Sequence, residues 1–476
     1  MAASSMQDIE LNLGGVRKSN ANETTDNITT TENINTNTNT NYSSIYALAL
    51  LVFSTVFGMC TWFSAGAVLP QLKLLWGIDE ATGSLLTMGV NFGFLLGALA
   101  SIFLKLADRY SPSTLMSIGS MGAAVLNIGM LIPGCGFGVA LVLRTLTGTF
   151  MALVYPMACK CAASHFVENR GVAIGAVVGS VGLGSASPHL VQVLAGGTIP
   201  WQILLVTCSC LSACASIVSF FLLTEGPHVK NTNTADKDKD KDTDKDKDKD
   251  TDTTRENSSS NQTQTPFQMI VGNSAFWWST LGYCGHNWEL YALWLWFKKF
   301  AIDAGIGTLL WESEPTRGAS LATFFVVGSA VAGSVGAGLV GDKFGRTTVC
   351  MLALSVSIVG SLVLGWCVNY SVLSFVVALL WGIFAVSESA QYSAMTTELV
   401  DPSVVGNAVT MQFGIGFLFT MPGMFIVPSV VENGGGWGWA WSTLTPGTVM
   451  AFVAMVMLRR NTTAIRVANE RGRPVM

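Results

Sequence analysis

Gly338-Leu339-Val340-Gly341-Asp342-Lys343-Phe344-Gly345-Arg346 is a short polar break between two long apolar runs. A near-copy, Ala107-Asp108-Arg109-Tyr110-Ser111, breaks the apolar sequence half a chain earlier. Each break follows the second apolar run of its half, and the two aspartates are 342 − 108 = 234 residues apart. A repeat on that scale is the trace of a duplicated membrane domain, and duplicated membrane domains are most often carriers.

Working outward from the two breaks, apolar runs fall near 45–70, 83–105, 113–133, 137–159, 171–195 and 201–223, and again near 270–297, 318–340, 347–369, 373–395, 404–430 and 440–458. Each is close to or above the ~20 residues that a helix needs to cross a bilayer. The expected fold is an all-α membrane protein of about twelve transmembrane helices in two six-helix bundles. Composition agrees. The 476-residue chain is 50% hydrophobic and 12% charged, with a mean hydropathy of +0.47, whereas soluble domains carry about 25% charge.

The organisation expected is a disordered tail at 1–44, a first bundle at 45–224, a linker at 225–267, a second bundle at 268–459 and a tail at 460–476. The first tail holds an Asn-Thr tract, and the linker holds alternating runs such as Asp236-Lys237-Asp238-Lys239. Both lack large apolar groups to bury, the composition of a solvated, disordered segment. With the N-terminus in the cytoplasm, the inner side outside the linker receives thirteen basic residues: Arg17, Lys18, Lys105, Arg109, Lys160, Arg170, Lys343, Arg346, Arg459, Arg460, Arg466, Arg471 and Arg473. The outer side receives Lys73, Lys298, Lys299 and Arg317. That bias places both termini in the cytoplasm. The plasma membrane is favoured over an internal one, and the chain is expected to act as a monomer.

Several classes are excluded. A net charge of −4 without a basic stripe gives no footing for nucleic acid. No G-x-x-x-x-G-K-[ST] loop marks an ATP-driven pump. The ten cysteines lack the paired spacing of a zinc site and read as small packing residues. No enzymatic activity, cofactor or structural metal is expected.

Ionisable groups inside apolar runs are costly and are functional candidates by default. Here they are Arg144 in the fourth run, His189 in the fifth, His286 and Glu289 in the seventh and Glu388 in the tenth. Tyr283, His286 and Glu289 are three apart and share one helix face. An imidazole and a carboxylate one turn apart, away from water, can share or exchange a proton. Glu388 and Gln391 also lie one turn apart, and Asn91 adds a polar group in the second run. Arg144, as a buried cation, either contacts an anionic solute or is held by Glu388 or Glu289.

The second loop resembles the G-x-x-x-D-[RK]-x-G-[RK] signature of the major facilitator superfamily, complete from Gly338 to Arg346. The first copy keeps Asp108 and Arg109 but has Leu104, Ser111 and Pro112 where Gly, Gly and a basic residue would stand. Arg144-x-x-x-Gly148 is similar to the family's fourth-helix motif, and Arg170-Gly171-x-x-x-Gly175 to the opening of its fifth. The resemblance implies a secondary carrier working by alternating access. It also implies that Asp108, Arg109, Asp342, Lys343, Gly345 and Arg346 form cytoplasmic gates rather than a solute site. The expected cargo is a small polar solute, an anion among the options, driven by a proton or solute gradient, with Arg144 and the polar faces of the seventh and tenth helices meeting at mid-membrane. A nitrate- or organic-anion-like carrier is one alternative, and a non-transporting solute sensor on the same fold is another.

Overall fold

The computed structural model describes residues 44–166, 170–226, 266–401 and 404–461, and no strand occurs among them. The expected tails and linker lie almost wholly outside the described residues, as do the side chains of Asp108 and Asp342.

The main helices are α1 (Ser44–Met59), α2 (Glu80–Phe103), α3 (Pro112–Ile128) and α4 (Phe137–Met151, continued by Tyr155–His165). They continue with α5 (Arg170–Leu194), α6 (Trp201–Leu222), α7 (Ser274–Asp303) and α8 (Pro315–Gly328, then Ala330–Phe344). Then come α9 (Arg346–Val363), α10 (Ser371–Leu399), α11 (Val405–Leu418, then Thr420–Val430) and α12 (Thr445–Arg460). By length and composition, nine helical runs among the described residues are long and apolar enough to cross a membrane. That number treats Val405–Arg460 as one run although it covers two expected spans, and it leaves out α1, which is short, and α7. In α7, His286, Asn287, Glu289, Lys298 and Lys299 depress the hydropathy of an otherwise aromatic helix.

Local chemistry sets the helix starts. Asp79 caps α2 by accepting from the Thr82 amide at 2.8 Å, and the hydrogen bonds from Thr82 hold its carboxyl below the usual range. Asn273 caps α7, accepting from the amides of Ala275 and Phe276. The two polar breaks fold differently. Gly345 turns from α8 into α9 at φ +92°, a conformation that favours glycine. Ser111, its counterpart, sits at φ −64° and caps α3 through its hydroxyl, with Pro112 at the first helical position. The departures from the signature in the first copy thus specify another kind of turn.

Small residues let the helices close up, as membrane helix packing requires. A Cβ on Gly148 of α4 would lie 1.9 Å from the Val90 carbonyl of α2, and one on Gly93 of α2 would lie 1.7 Å from the Thr145 carbonyl of α4. Helix α5 packs along both parts of α8, and α2 packs along both parts of α11. These pairs join the first six helices to the last six over most of their length.

The first apolar run departs most from expectation. Instead of one helix over 45–70, α1 ends at Met59, the chain turns through Cys60–Phe63, and short helices Ser64–Ala67 and Leu69–Trp76 follow. Carbonyls at the break lose their helical partners, and in an apolar interior they need others.

Candidate functional site

Arg144 supplies those partners. It is fully buried, and its Nη1 donates to the Thr61 carbonyl at 2.8 Å, to Asn127 Oδ1 at 2.8 Å and to Ser64 Oγ at 3.3 Å. Nη2 donates to the Trp62 carbonyl, and Nε to the Leu86 carbonyl at 3.5 Å. All of these acceptors are neutral and belong to the first half. The expected pairing of Arg144 with Glu388 or Glu289 is therefore not made, and Arg144 does not meet the polar faces of α7 and α10. A guanidinium with five forked donors suits a broken helix end, which offers several oxygens in one place.

The carboxylates gather elsewhere. His286 and Glu289 on α7 and Glu388 on α10 are all fully buried, and one ligand-type atom from each lies within 4.8 Å of the others. His286 Nδ1 is 3.6 Å from Glu388 Oε2. Each group is also held from behind. Trp381 Nε1 donates to Glu289 Oε2 at 3.2 Å, Tyr392 OH donates to Glu388 Oε2 at 3.4 Å, and His286 Nε2 lies at hydrogen-bond distance from Ser389 Oγ. The remaining atoms of the three groups, His286 Nδ1, Glu289 Oε1 and Glu388 Oε1, have no hydrogen-bond partner. Two glycines of α7 make room for this cluster. A Cβ on Gly285 would lie 2.2 Å from the Gly447 carbonyl of α12, and one on Gly282 would lie 2.6 Å from the Tyr392 ring.

In front of the cluster is a central cavity of about 10 Å³, the room of roughly one water. Its walls come from both halves: Tyr155 of α4, Val178 and Val181 of α5, Tyr283 and Asn287 of α7, and Ser389 of α10. Ser389 therefore touches both the cavity and His286. Tyr283 packs its ring 5.5 Å from Phe413 and 5.9 Å from His286, and Tyr155 stacks on Phe413 at 4.6 Å. The aromatic Trp62, Phe94, Tyr291 and Phe417 fill the space beyond.

Two expected lining residues are engaged elsewhere. Asn91 accepts from Trp62 Nε1 at 2.8 Å and donates to Thr420 Oγ1 at 2.6 Å, clamping α2 to α11. Gln391 accepts from Arg346 Nη1 at 3.2 Å. Arg346 in turn holds Glu398 with a forked contact, Nε to both carboxylate oxygens at 3.1 and 3.0 Å and Nη2 to Oε1 at 2.6 Å. Gln391 thus stands with the Gly338–Arg346 loop, not with the cavity wall. Arg109 and Lys343 are exposed, and Gly345 is buried in its turn.

Three residues escaped the sequence reading. Glu398 ends an otherwise apolar run, and its signal was the motif arginine, which needs an acidic partner. Lys298, expected in an outer loop, lies within α7, is 9% exposed and donates to Gln192 Oε1 at 2.6 Å and to the Ala67 carbonyl at 3.3 Å. Gln192 also accepts from Ser320 Oγ at 2.9 Å, so it joins α5, α7 and α8. Nearby, Glu80 pairs with Lys73 at 2.5 Å and Lys299 at 3.3 Å, a further tie between the halves.

The sequence model of the Major Facilitator Superfamily matches residues 51–313, over half of the chain. Among solved structures, a D-xylose–proton symporter is 15% identical and superposes with a TM-score of 0.60, covering 88% of this chain and 97% of that one. The human organic anion transporter MFSD10 (TETRAN) is 13% identical with a TM-score of 0.62, covering 87% and 99%. The proton:xylose symporter XylE bound to 6-bromo-6-deoxy-D-glucose is 13% identical with a TM-score of 0.65, covering 87% and 96%. At such identities the likeness is one of fold. No curated protein matches the chain in sequence. The matched family model, the intact loop signature and a fold shared nearly end to end with these transporters lead to one conclusion: this chain belongs to the major facilitator superfamily of membrane transporters.

Proposed function

We propose that this chain moves a small polar solute across the membrane by alternating access, with proton binding at His286, Glu289 and Glu388 coupled to the movement. One observation carries this reading. Three ionisable groups lie together at full burial, and Ser389 connects them to a cavity walled by both halves. Two carboxylates away from water are costly to keep charged, so the cluster favours taking up positive charge. A proton taken from one side and released to the other would reset it in each cycle.

The two bundles, 45–224 and 268–459, would rock about the cavity, joined by the 225–267 linker and with both termini in the cytoplasm of a plasma-membrane monomer. The Arg346–Glu398–Gln391 contacts would lock the inner mouth. Lys298–Gln192 and Lys299–Glu80 would lock the outer one. The neutral surroundings of Arg144 weigh against an anion site at that residue, and with it against the nitrate-like alternative.

The test is flux in proteoliposomes across a panel of sugars and small organic acids, under imposed pH gradients of either sign. The expected result is uptake that follows the pH gradient for one class of solute and loses that dependence in His286→Asn. Uptake indifferent both to the gradient and to this substitution would refute the coupling. Saturable binding without flux under any gradient would identify a solute sensor instead.

A further inference from the structure

We propose that His286, Glu289 and Glu388 form a binding site for a divalent transition-metal ion. Each of these side chains is divided between two kinds of contact. Each of the three has one polar atom held by a neighbour on α10: Trp381 on Glu289, Tyr392 on Glu388 and Ser389 on His286. Each has one atom without a close hydrogen-bond partner, with the Ser357 hydroxyl beside Glu289 and Glu388 Oε2 3.6 Å from His286 Nδ1, and all three side chains are fully buried. That is the pattern of a metal ligand, one atom for the ion and the other oriented by an outer hydrogen bond.

Charge and donor type narrow the ion. Two ionised carboxylates and a neutral imidazole carry two negative charges, which a divalent cation cancels. One nitrogen and two carboxylate oxygens suit the manganese, iron and zinc class, and they lack the thiolates that select softer ions. One ligand-type atom from each of the three residues lies within 4.8 Å of the others. Ligands about 2.0–2.2 Å from an ion stand some 3 Å apart, so a bound ion would draw the three side chains closer together. Ser389 in the cavity wall marks the way in.

The inference uses the cluster proposed above for protons, but it concerns equilibrium binding, so absence of flux would leave it standing. Metal and protons would compete for the same atoms, and affinity rises with pH as the ligands deprotonate. The probe is Mn2+, which the ten cysteines compete for less than for Zn2+ and whose free ion has its own paramagnetic resonance signal. Stripped, purified full-length protein is titrated with MnCl2. The expected result is one saturable Mn2+ per chain, weakened at least about tenfold in Glu289→Gln and in Glu388→Gln. Trp381→Phe leaves all three ligands in place but frees Glu289 Oε2. It should weaken binding about 10- to 100-fold, and it serves as the decisive variant where the glutamine variants do not fold. No saturable binding in the wild type at millimolar Mn2+ overturns the proposal. Binding that survives unchanged in the folded variants also overturns it.

Discussion

Two buried polar centres, one in each half, look alike in sequence and differ in kind. Arg144 is a charge in an apolar helix, as are Glu289 and Glu388. Around Arg144 the oxygens of Thr61, Trp62, Leu86, Ser64 and Asn127 take up the guanidinium donors, and the break after α1 is what exposes the first two of them. Around His286, Glu289 and Glu388 each group keeps an atom without a partner. The first centre is complete within the protein and holds a broken helix together. The second is incomplete without a proton or an ion. Burial of charge alone therefore does not mark a working site; what sets the second centre apart is that three ionisable groups meet there at full burial with open atoms among them.

The largest way to break this comparison is Arg144→Leu. It strips donors from several buried oxygens at once, and at roughly 1–3 kcal/mol for each acceptor left open the loss of stability comes to about 3 kcal/mol or more. Thermal unfolding of the purified protein measures it. Arg144→Lys keeps the charge but not the fork, so it should fall between the two. If Arg144→Lys unfolded like the wild type while its apparent solute affinity collapsed, Arg144 would belong to the solute site and the contrast would fail.

Next comes the second centre, where the effect should fall on flux and not on folding. Glu388→Gln should lower gradient-driven uptake about 100-fold, near 2.7 kcal/mol of barrier. Its unfolding temperature should stay level or rise, because a neutral amide is easier to bury than a carboxylate. Uptake at the wild-type rate would place Glu388 among the structural groups, beside Arg144. A third step tests packing alone. Gly148→Ala forces a Cβ to within 1.9 Å of the Val90 carbonyl, where only backbone movement gives room, and should cost about 1–3 kcal/mol. Gly336→Ala, with nothing within 4 Å of its Cβ, is the matched control and should be neutral.

The architecture was legible because the bilayer imposes it. Apolar runs of fixed length, two spaced polar breaks and a complete Gly338–Arg346 signature leave few alternatives. Half of the cluster was legible too, since His286 and Glu289 must share a face of any helix that contains both. Glu388 was visible as a buried charge, but its meeting with His286 depends on how α10 is rotated against α7, which no local pattern encodes. The same rotation sends Gln391, one turn further on, to Arg346. The partners of Arg144 were hidden for a different reason. Its partners are backbone oxygens released where α1 stops, and the segment Cys60-Thr61-Trp62-Phe63 contains neither Gly nor Pro to announce a break. Glu398 and Lys298 were missed because residues near the ends of apolar runs read as solvated.

The smallest expected effect separates two asparagines that sequence alone cannot tell apart. Asn91 has both ends engaged, with Trp62 on one side and Thr420 of the other half on the other. Asn287 lines the central cavity, where its side chain reaches only toward the neighbouring Tyr283 hydroxyl on the same helix. Asn91→Ala should therefore cost about 1–2 kcal/mol of stability, the net worth of two ordinary hydrogen bonds, and leave the apparent solute affinity as it was. Asn287→Ala should do the reverse, weakening solute affinity up to about tenfold, equivalent to about 1.4 kcal/mol, with unfolding unchanged. Paired measurements of unfolding temperature and concentration-dependent uptake on the two variants decide it. Should both variants shift stability alone, the place of Asn287 in the cavity wall would carry no functional meaning.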